Sequence, residues 1–381
     1  MATARRLWIL LALAAVLIAL ALDFWNRTEP IGIDFHTYEA AARVGLHDGW
    51  AHIYDQALVA DEQRNLVPDQ ATQPFLSPPP VAWLAALLAP LRYWPAYYVW
   101  ATFNFIALAL ALLWASRERG LWRWVTAAAV LAPWWVLHAI HLGQVVPLVA
   151  AGVVVAWRSA RERHNLFGGG ALALLLLKPN TAFVVPFALL VAGRYRIFLV
   201  LSAASALVGV LTFVSMGAPG TELYVRQVSG LLPPGANFLT LEGAFGVSGA
   251  LAIGLRVLIV AASLTTAYRL RESPGLVIAA GTLGSLLVAP YLHGSDLCLL
   301  GAVAWMVWQE RPALAWRLPL AAGWLLASPF MASTGIALHL DRWPLVEVAL
   351  LAALVFEAWR ARREPGEALT PGAELRTRAP A

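Results

Sequence analysis

Four short stretches of the chain hold side chains able to move protons or bind charge. In GIDFHTYEAAARVGLHDGW, residues 32–50, Asp34 is followed at helical spacing by Tyr38 and then by Ala41, Ala42 and Gly45. A carboxylate at such a place caps a helix or stays solvated. At a water–lipid boundary, where partial desolvation disfavours the charged form, it is also suited to general base work. In HAIHLGQVVPL, residues 138–148, His138, His141 and Gln144 recur one helical turn apart. Two histidines so spaced, with no third ligand nearby in sequence, are a weak zinc signal. They fit better as the lining of a polar cleft, because such a stripe is costly against lipid and must face protein or water.

The stretch LLKPN contains Lys178, the only lysine in a chain whose 27 Lys and Arg residues are otherwise all arginine. A lysine at a membrane edge commonly snorkels to the interface. Here the following Pro179 breaks the helix, so the ammonium need not point into lipid, and a compact point charge suits a phosphate. The fourth stretch, LLVAPYLHGSDLCLL at residues 286–300, brings Tyr291, His293 and Asp296 together between two apolar segments. Read plainly, His293 is a loop residue and Asp296 a helix cap. Read together, they are an imidazole oriented beside an acid, able to support a charged leaving group.

The elements that must carry these groups follow from composition. With 381 residues, 60% hydrophobic content, 13% charged residues and a mean hydropathy of +0.68, the chain cannot cover a soluble globule with polar surface. Apolar segments recur along almost its whole length, which makes it polytopic, and the 18 Trp suit residues anchored at bilayer interfaces. The single cysteine, Cys298, excludes an intramolecular disulfide. A pI near 9.6 would suggest nucleic acid in a soluble protein, but these arginines lie in short loops between apolar segments, where they set orientation. The basic, apolar start MATARRLWILLALAAVLIALALDFW resembles a signal peptide; its length and the spans that follow favour a retained first helix.

Arginine clusters occur at 5–6, 117–123, 158–163, 194–196, 269–271, 311–317 and 360–363. The positive-inside rule puts all of them in the cytoplasm. Spans are then expected near 7–24, 95–115, 124–137, 144–157, 166–177, 180–192, 197–216, 247–268, 275–290, 297–309, 318–338 and 344–360. That is about twelve crossings, with both termini cytoplasmic and residues 78–91 forming a re-entrant or interfacial helix. The outer side holds a long first loop, 25–78, carrying amphipathic helices, a second loop, 218–246, and joints containing most histidines. His164 is the cytoplasmic exception. Asp34, Asp48, Asp55 and Asp69 make the first loop acidic. Residues 1–360 read as one transmembrane domain and 361–381 as a disordered cytoplasmic tail. Polar chemistry gathered on one face fits an extracytoplasmic active site better than a transporter, whose polar residues sit at the midplane of repeated halves.

The ordered set IDFHTYEAA, GWAHIYDQ, PFLSPPPVAWLAALLAPL, LGQVVPLVAAG, LLLLKPNTAF and LVAPYLHGSDL resembles glycosyltransferase family 87, polytopic membrane enzymes of the GT-C type, over roughly residues 30–300. The chain departs from that pattern at Ser77, where members often have Tyr, and NFLTLEG at 237–243 is a loose match. The resemblance implies an all-α GT-C-like bundle in a bacterial plasma membrane. It implies a donor in which mannose or arabinofuranose is linked to polyprenyl phosphate, and a glycolipid or polysaccharide acceptor. It also implies Asp34 as the catalytic base, with Lys178 and His293 on the donor phosphate and Tyr38, His141, Gln144, Tyr291 and Asp296 contacting substrate. Transfer then inverts the anomeric centre. No metal or other cofactor and no nucleic acid is expected, since fixed cations supply the counter-charge. The alternative class is a transporter or flippase of a lipid-linked sugar.

Overall fold

The computed structural model describes residues 7–9, 11–16, 18–19, 30–229, 239–311, 313–333 and 342–360. Among these residues every regular element is a helix and none is a strand. Three helices, α1 (Ile33–His47), α2 (Gln56–Leu66) and α3 (Pro79–Ala86), pack on one another ahead of the long apolar α4 (Tyr93–Ala115). There follow α5 (Leu121–Leu131), α6 (Trp134–Leu142), α7 (Val146–Glu162), α8 (Asn165–Leu172), α9 (Val184–Val191) and α10 (Tyr195–Ser229). The remainder are α11 (Leu241–Phe245), α12 (Gly249–Arg269), α13 (Pro274–Val288), α14 (Cys298–Glu310), α15 (Leu314–Leu326), α16 (Pro329–Ser333) and α17 (Trp343–Arg360). The expected tail, 361–381, lies outside the described residues, as do His339 and much of the second loop.

The core lies around α13, buried along its entire length and packed against α9, α12, α14 and α17. Its run of Gly, Ala and Ser makes this possible. A Cβ added at Gly281 would fall 2.9 Å from the Cβ of Ala188, and one at Gly284 2.5 Å from the Oγ of Ser263, so neighbours approach to backbone distance.

Helices occupy nearly all the expected stretches, but their lengths do not give twelve full crossings. Among the described residues three are long and apolar enough to span a bilayer, Tyr93–Ala115, Tyr195–Gln227 and Gly249–Arg269, with a fourth if α5 and α6 are taken as one span bent by 63°. Proline is the physical reason for much of the shortening. Pro133 divides the expected 124–137 element at that bend. Pro179 excludes Lys178 from helical geometry, leaving it at φ −152° and ψ 74°, so 166–192 is two short helical pieces meeting at Lys178. The stretch 78–91 holds α3, eight residues and roughly 12 Å long, which cannot cross a hydrocarbon core of about 30 Å. Helix α10 runs past the expected end at 216 and turns at Gly217, whose φ of 63° suits glycine.

Helix α1 also differs from the amphipathic surface helix expected from its sequence. Ile33, Phe35 to Ala42, Val44 and Gly45 are all buried. Ala40, Ala41, Ala42 and Gly45 leave room for close neighbours; a Cβ at Gly45 would lie 2.6 Å from the Trp50 ring.

Two helices set the long dimension. The first residue of α4, Tyr93, bonds the backbone beside Asp34, and its far end leads into Arg117. With 23 residues, α4 separates the two by roughly 35 Å. Helix α7 likewise starts just beyond Gln144 and ends among Arg158 and Arg161. The chemistry-bearing residues and the first arginine clusters thus lie at opposite ends of the same helices.

The joint between α6 and α7 is the tightest point of this frame. Gly143 ends α6 at φ 76°, and a Cβ there would lie 2.6 Å from the Cβ of Phe35 in α1. Gly143→Ala is expected to cost about 1–3 kcal/mol, read as a lower thermal midpoint in detergent, because strain and collision both oppose the side chain. Gly170→Ala, in a helix with open space around it, is expected to leave the midpoint unchanged or raise it.

Candidate active site

An aromatic face of α4 pins α1 to the end of α6. Tyr93 donates its hydroxyl to the carbonyl of Gly32 at 2.8 Å, and Tyr97 reaches the carbonyls of Ile140 and His141 at 3.1 and 3.0 Å. The indole N–H of Trp100 bonds the carbonyl of Gly143 at 2.8 Å. Gly32, left-handed at φ 74°, precedes α1 as its N-cap and donates its own N–H to His141 O at 2.8 Å. Positions 93, 97 and 100 share one helical face, so three polar tips meet the two segments that carry Asp34 and Gln144.

Asp34 therefore lies in the first turn of α1, not at its cap, and is half-buried. The amide of Gln144 donates from Nε2 to its Oδ2 at 2.6 Å. The other end of that amide, Oε1, accepts from the Tyr38 hydroxyl at 3.1 Å and from Lys178 Nζ at 3.3 Å. Tyr38 is buried against Phe75 and Trp100, and burial, followed by the nearby Asp34 carboxylate, pushes its phenol well above the ordinary range. It stays a donor.

Lys178 sits at the break between the 3₁₀ turn Ala173–Leu177 and Pro179. Thr181 holds the loop by donating its hydroxyl to the Lys178 carbonyl at 2.8 Å, and Asn180 ties it to the Tyr291 carbonyl at 2.8 Å. The ammonium lies 2.6 Å from Asp296 Oδ1, an ion pair not aligned as a hydrogen bond, with Asp296 wholly buried and Lys178 12% exposed. Asp296 also accepts the backbone N–H of His293 through Oδ2 at 2.8 Å, so its capping role and its charge-pairing role are combined. The Tyr291 hydroxyl meets the Nε2 of His293. Burial, reinforced by the Lys178 charge and opposed by Asp296, pushes His293 down to about 4, so it is neutral near pH 7.

Asp34, Tyr38, Gln144, Lys178, Tyr291, His293 and Asp296 thus form one connected network drawn from four distant parts of the chain. One expectation changes. Lys178 and His293 are not two free cations: one is paired with Asp296 and the other is uncharged, because burial penalises any unbalanced charge. The backbone carbonyl of His141 joins the frame of the site by accepting from Gly32 N–H and the Tyr97 hydroxyl. His138 is buried beside Trp134, their ring centres 6.1 Å apart, and close to Gly294. Among the described residues no three His, Cys, Asp or Glu side chains converge as a metal ion would need.

Removing one member of the buried pair separates structure from chemistry. Lys178→Met leaves the Asp296 charge uncompensated and is expected to destabilise the protein by about 3–5 kcal/mol. K178M combined with D296N is expected to regain most of that loss in thermal unfolding; equal damage by the single and double variants would show that the pair is not coupled. The low His293 value has its own consequence. Its unfolded form binds protons below pH 6.5 while the folded form does not until about 4, so stability falls as pH drops through that window. His293→Asn is expected to flatten the dependence of thermal midpoint on pH between about 6.5 and 4.

Comparison with protein families matches residues 75–329, more than half of the chain, to glycosyltransferase family 87. The matched region includes Gln144, Lys178, Tyr291, His293 and Asp296 and leaves α1, with Asp34 and Tyr38, before its start. Comparisons with curated proteins and with solved structures return no match. Apolar helices of spanning length, a polar network at one end of them and this match lead to one conclusion: the chain belongs to glycosyltransferase family 87 and is a membrane glycosyltransferase.

Proposed function

We propose that the protein transfers a sugar, mannose or arabinofuranose, from a polyprenyl phosphate to a glycolipid or polysaccharide acceptor, with inversion and with Asp34 as the general base. The observation that carries this reading is the contrast between the two carboxylates of the network. Asp296 is fully buried and neutralised by Lys178, whereas Asp34 is partly open and held by a neutral amide. Of the two, Asp34 is the one an acceptor hydroxyl can reach.

The acceptor hydroxyl gives its proton to Asp34 as its oxygen attacks the anomeric carbon. The bond from that carbon to the phosphate oxygen breaks, and its electrons leave with the polyprenyl phosphate. An ammonium has three N–H donors. The Lys178 ammonium donates to Gln144 and is paired in charge with Asp296, which leaves an N–H donor for a phosphate oxygen. The mutually bonded Tyr291–His293 pair adds one neutral donor there rather than a second cation. Tyr38 and Gln144 place the base, and the half-buried His141 contacts the sugar.

The arginine clusters at the far ends of α4 and α7 support a cytoplasmic assignment for those ends and an extracytoplasmic one for the site, in a multi-pass bacterial plasma-membrane protein with both termini inside. The polyprenyl chain then lies between helices in the bilayer.

The test uses purified protein with labelled polyprenyl-phosphate mannose and arabinose and a lipid extract. Wild type is expected to move one label into a new glycoside. Asp34→Asn is expected to lower transfer at least 10³-fold while donor binding changes little, as for loss of a group that acts only in the transition state. Full turnover by that variant removes Asp34 from the role. Movement of donor across vesicle membranes without a new glycosidic bond would mark a flippase instead.

A further inference from the structure

At the end of α4 remote from Asp34, five arginines converge on one open cleft. Arg117 and Arg119 come from the loop after α4, Arg123 from α5, and Arg158 and Arg161 from α7; together with Trp114, Ser116 and Glu118 they enclose about 410 Å³. Carboxylates balance only part of this charge. Arg117 lies 3.3 Å from Glu310, and Arg158 2.8 Å from Glu162. Arg161 approaches that same Glu162 oxygen only to 4.0 Å, and its Nη1 is buried without a hydrogen-bond partner. Among the described residues neither Arg119 nor Arg123 has a carboxylate within ion-pair distance.

The positive-inside rule accounts for cations at this end of the helices, but not for their convergence on a concavity or for a buried guanidinium N–H left unmet. The guanidinium planes are also fixed in place. Arg158 stacks 4.2 Å over Trp114 and bonds its carbonyl, Arg161 lies 5.0 Å over Trp157, and Arg123 bonds the carbonyl of Leu113 through Nε. Stacked and anchored guanidinium groups with outward N–H donors are suited to paired hydrogen bonds with a tetrahedral oxyanion.

We propose that this cleft binds a phosphate ester, at a site separate from that of sugar transfer. Trp122 and Trp124, 61% and 39% exposed beside Arg123, put the cleft at the level where aromatic side chains meet lipid headgroups, so an anionic phospholipid is the favoured source of the phosphate. The site lies roughly 35 Å from Asp34, the length of α4, so it is not the donor phosphate position.

The experiment is native mass spectrometry of the full chain released from micelles containing equal phosphatidylglycerol and phosphatidylcholine, with thermal midpoints measured in parallel in added inorganic phosphate. Wild type is expected to retain phosphatidylglycerol preferentially, and R119Q with R123Q, at an exposed and a half-buried position, to reduce that preference about tenfold, as for loss of one or two charge-assisted hydrogen bonds. R119K with R123K keeps the charge but loses the planar fork, and is expected to fall between the two. Stabilisation by inorganic phosphate equal to that by phosphatidylglycerol, lost in R119Q with R123Q, supports the site with a soluble phosphate compound as its source. No preference for the anionic lipid and no effect of phosphate in wild type, or a preference unchanged in both paired variants, overturns the proposal. Sugar transfer is not the readout, so its failure leaves this outcome distinguishable.

Discussion

The site depends on one primary amide. Gln144 touches both Asp34 and Lys178, and it does so with its two chemically opposite ends. Its NH₂ group donates to the carboxylate while its carbonyl oxygen accepts from the ammonium and from Tyr38. An isosteric carboxylate in its place would repel Asp34, and an apolar side chain would leave three polar groups unmet at a partly buried position. The surrounding scaffold exists to keep this amide in place. Gly143 allows Phe35 to come close, and the tips of Tyr93, Tyr97 and Trp100 hold the chain on either side.

Charge is arranged differently at the two ends of the helices. Around Gln144 each charge is met by a near neighbour, and the one imidazole of the network is kept neutral by burial. At the far end of α4 cations outnumber the carboxylates they face. The first arrangement suits a site where charge must appear and vanish during reaction, since fixed neutral dipoles need no reorganisation. The second suits static attraction to an anion that stays.

The residues of the site were largely legible in sequence because they stand out against an apolar background. A lone lysine before a proline and a Tyr-x-His-x-x-Asp joint are conspicuous among leucines, and both enter the network. What local spacing could not give was their charge state. Lys178 and Asp296 are far apart in the chain, and the ion pair that neutralises them is a tertiary contact. The aromatic clip on α4 was missed for a different reason. YWPAYYVW reads as an interfacial aromatic belt, yet Tyr93, Tyr97 and Trp100 point inward and are buried, while Trp94, Tyr98 and Val99 take the exposed face. A heptad-like spacing of polar-tipped aromatics was the available signal. Span counting ran past the helix lengths at Pro133, which divides the apolar run 124–137, since hydropathy registers the run and not the break.

A paired lysine and a neutral histidine bear on the proposed chemistry in a way two free cations would not. A strongly cationic pocket binds a lipid-linked sugar phosphate in its ground state and binds the released polyprenyl phosphate, with its extra charge, more tightly still. Such binding lowers the energy of bound states along with that of the transition state and slows product release. With Asp296 offsetting most of the Lys178 charge, attraction to the resting diester is weak. In the proposed reaction, as the bond breaks and charge builds on the leaving oxygen, an N–H of Lys178 and the one free donor of the Tyr291–His293 pair strengthen in proportion. The buried carboxylate that weakens the site's hold on the ground state thereby makes its hold on the transition state the larger difference, and it is that difference which sets a rate.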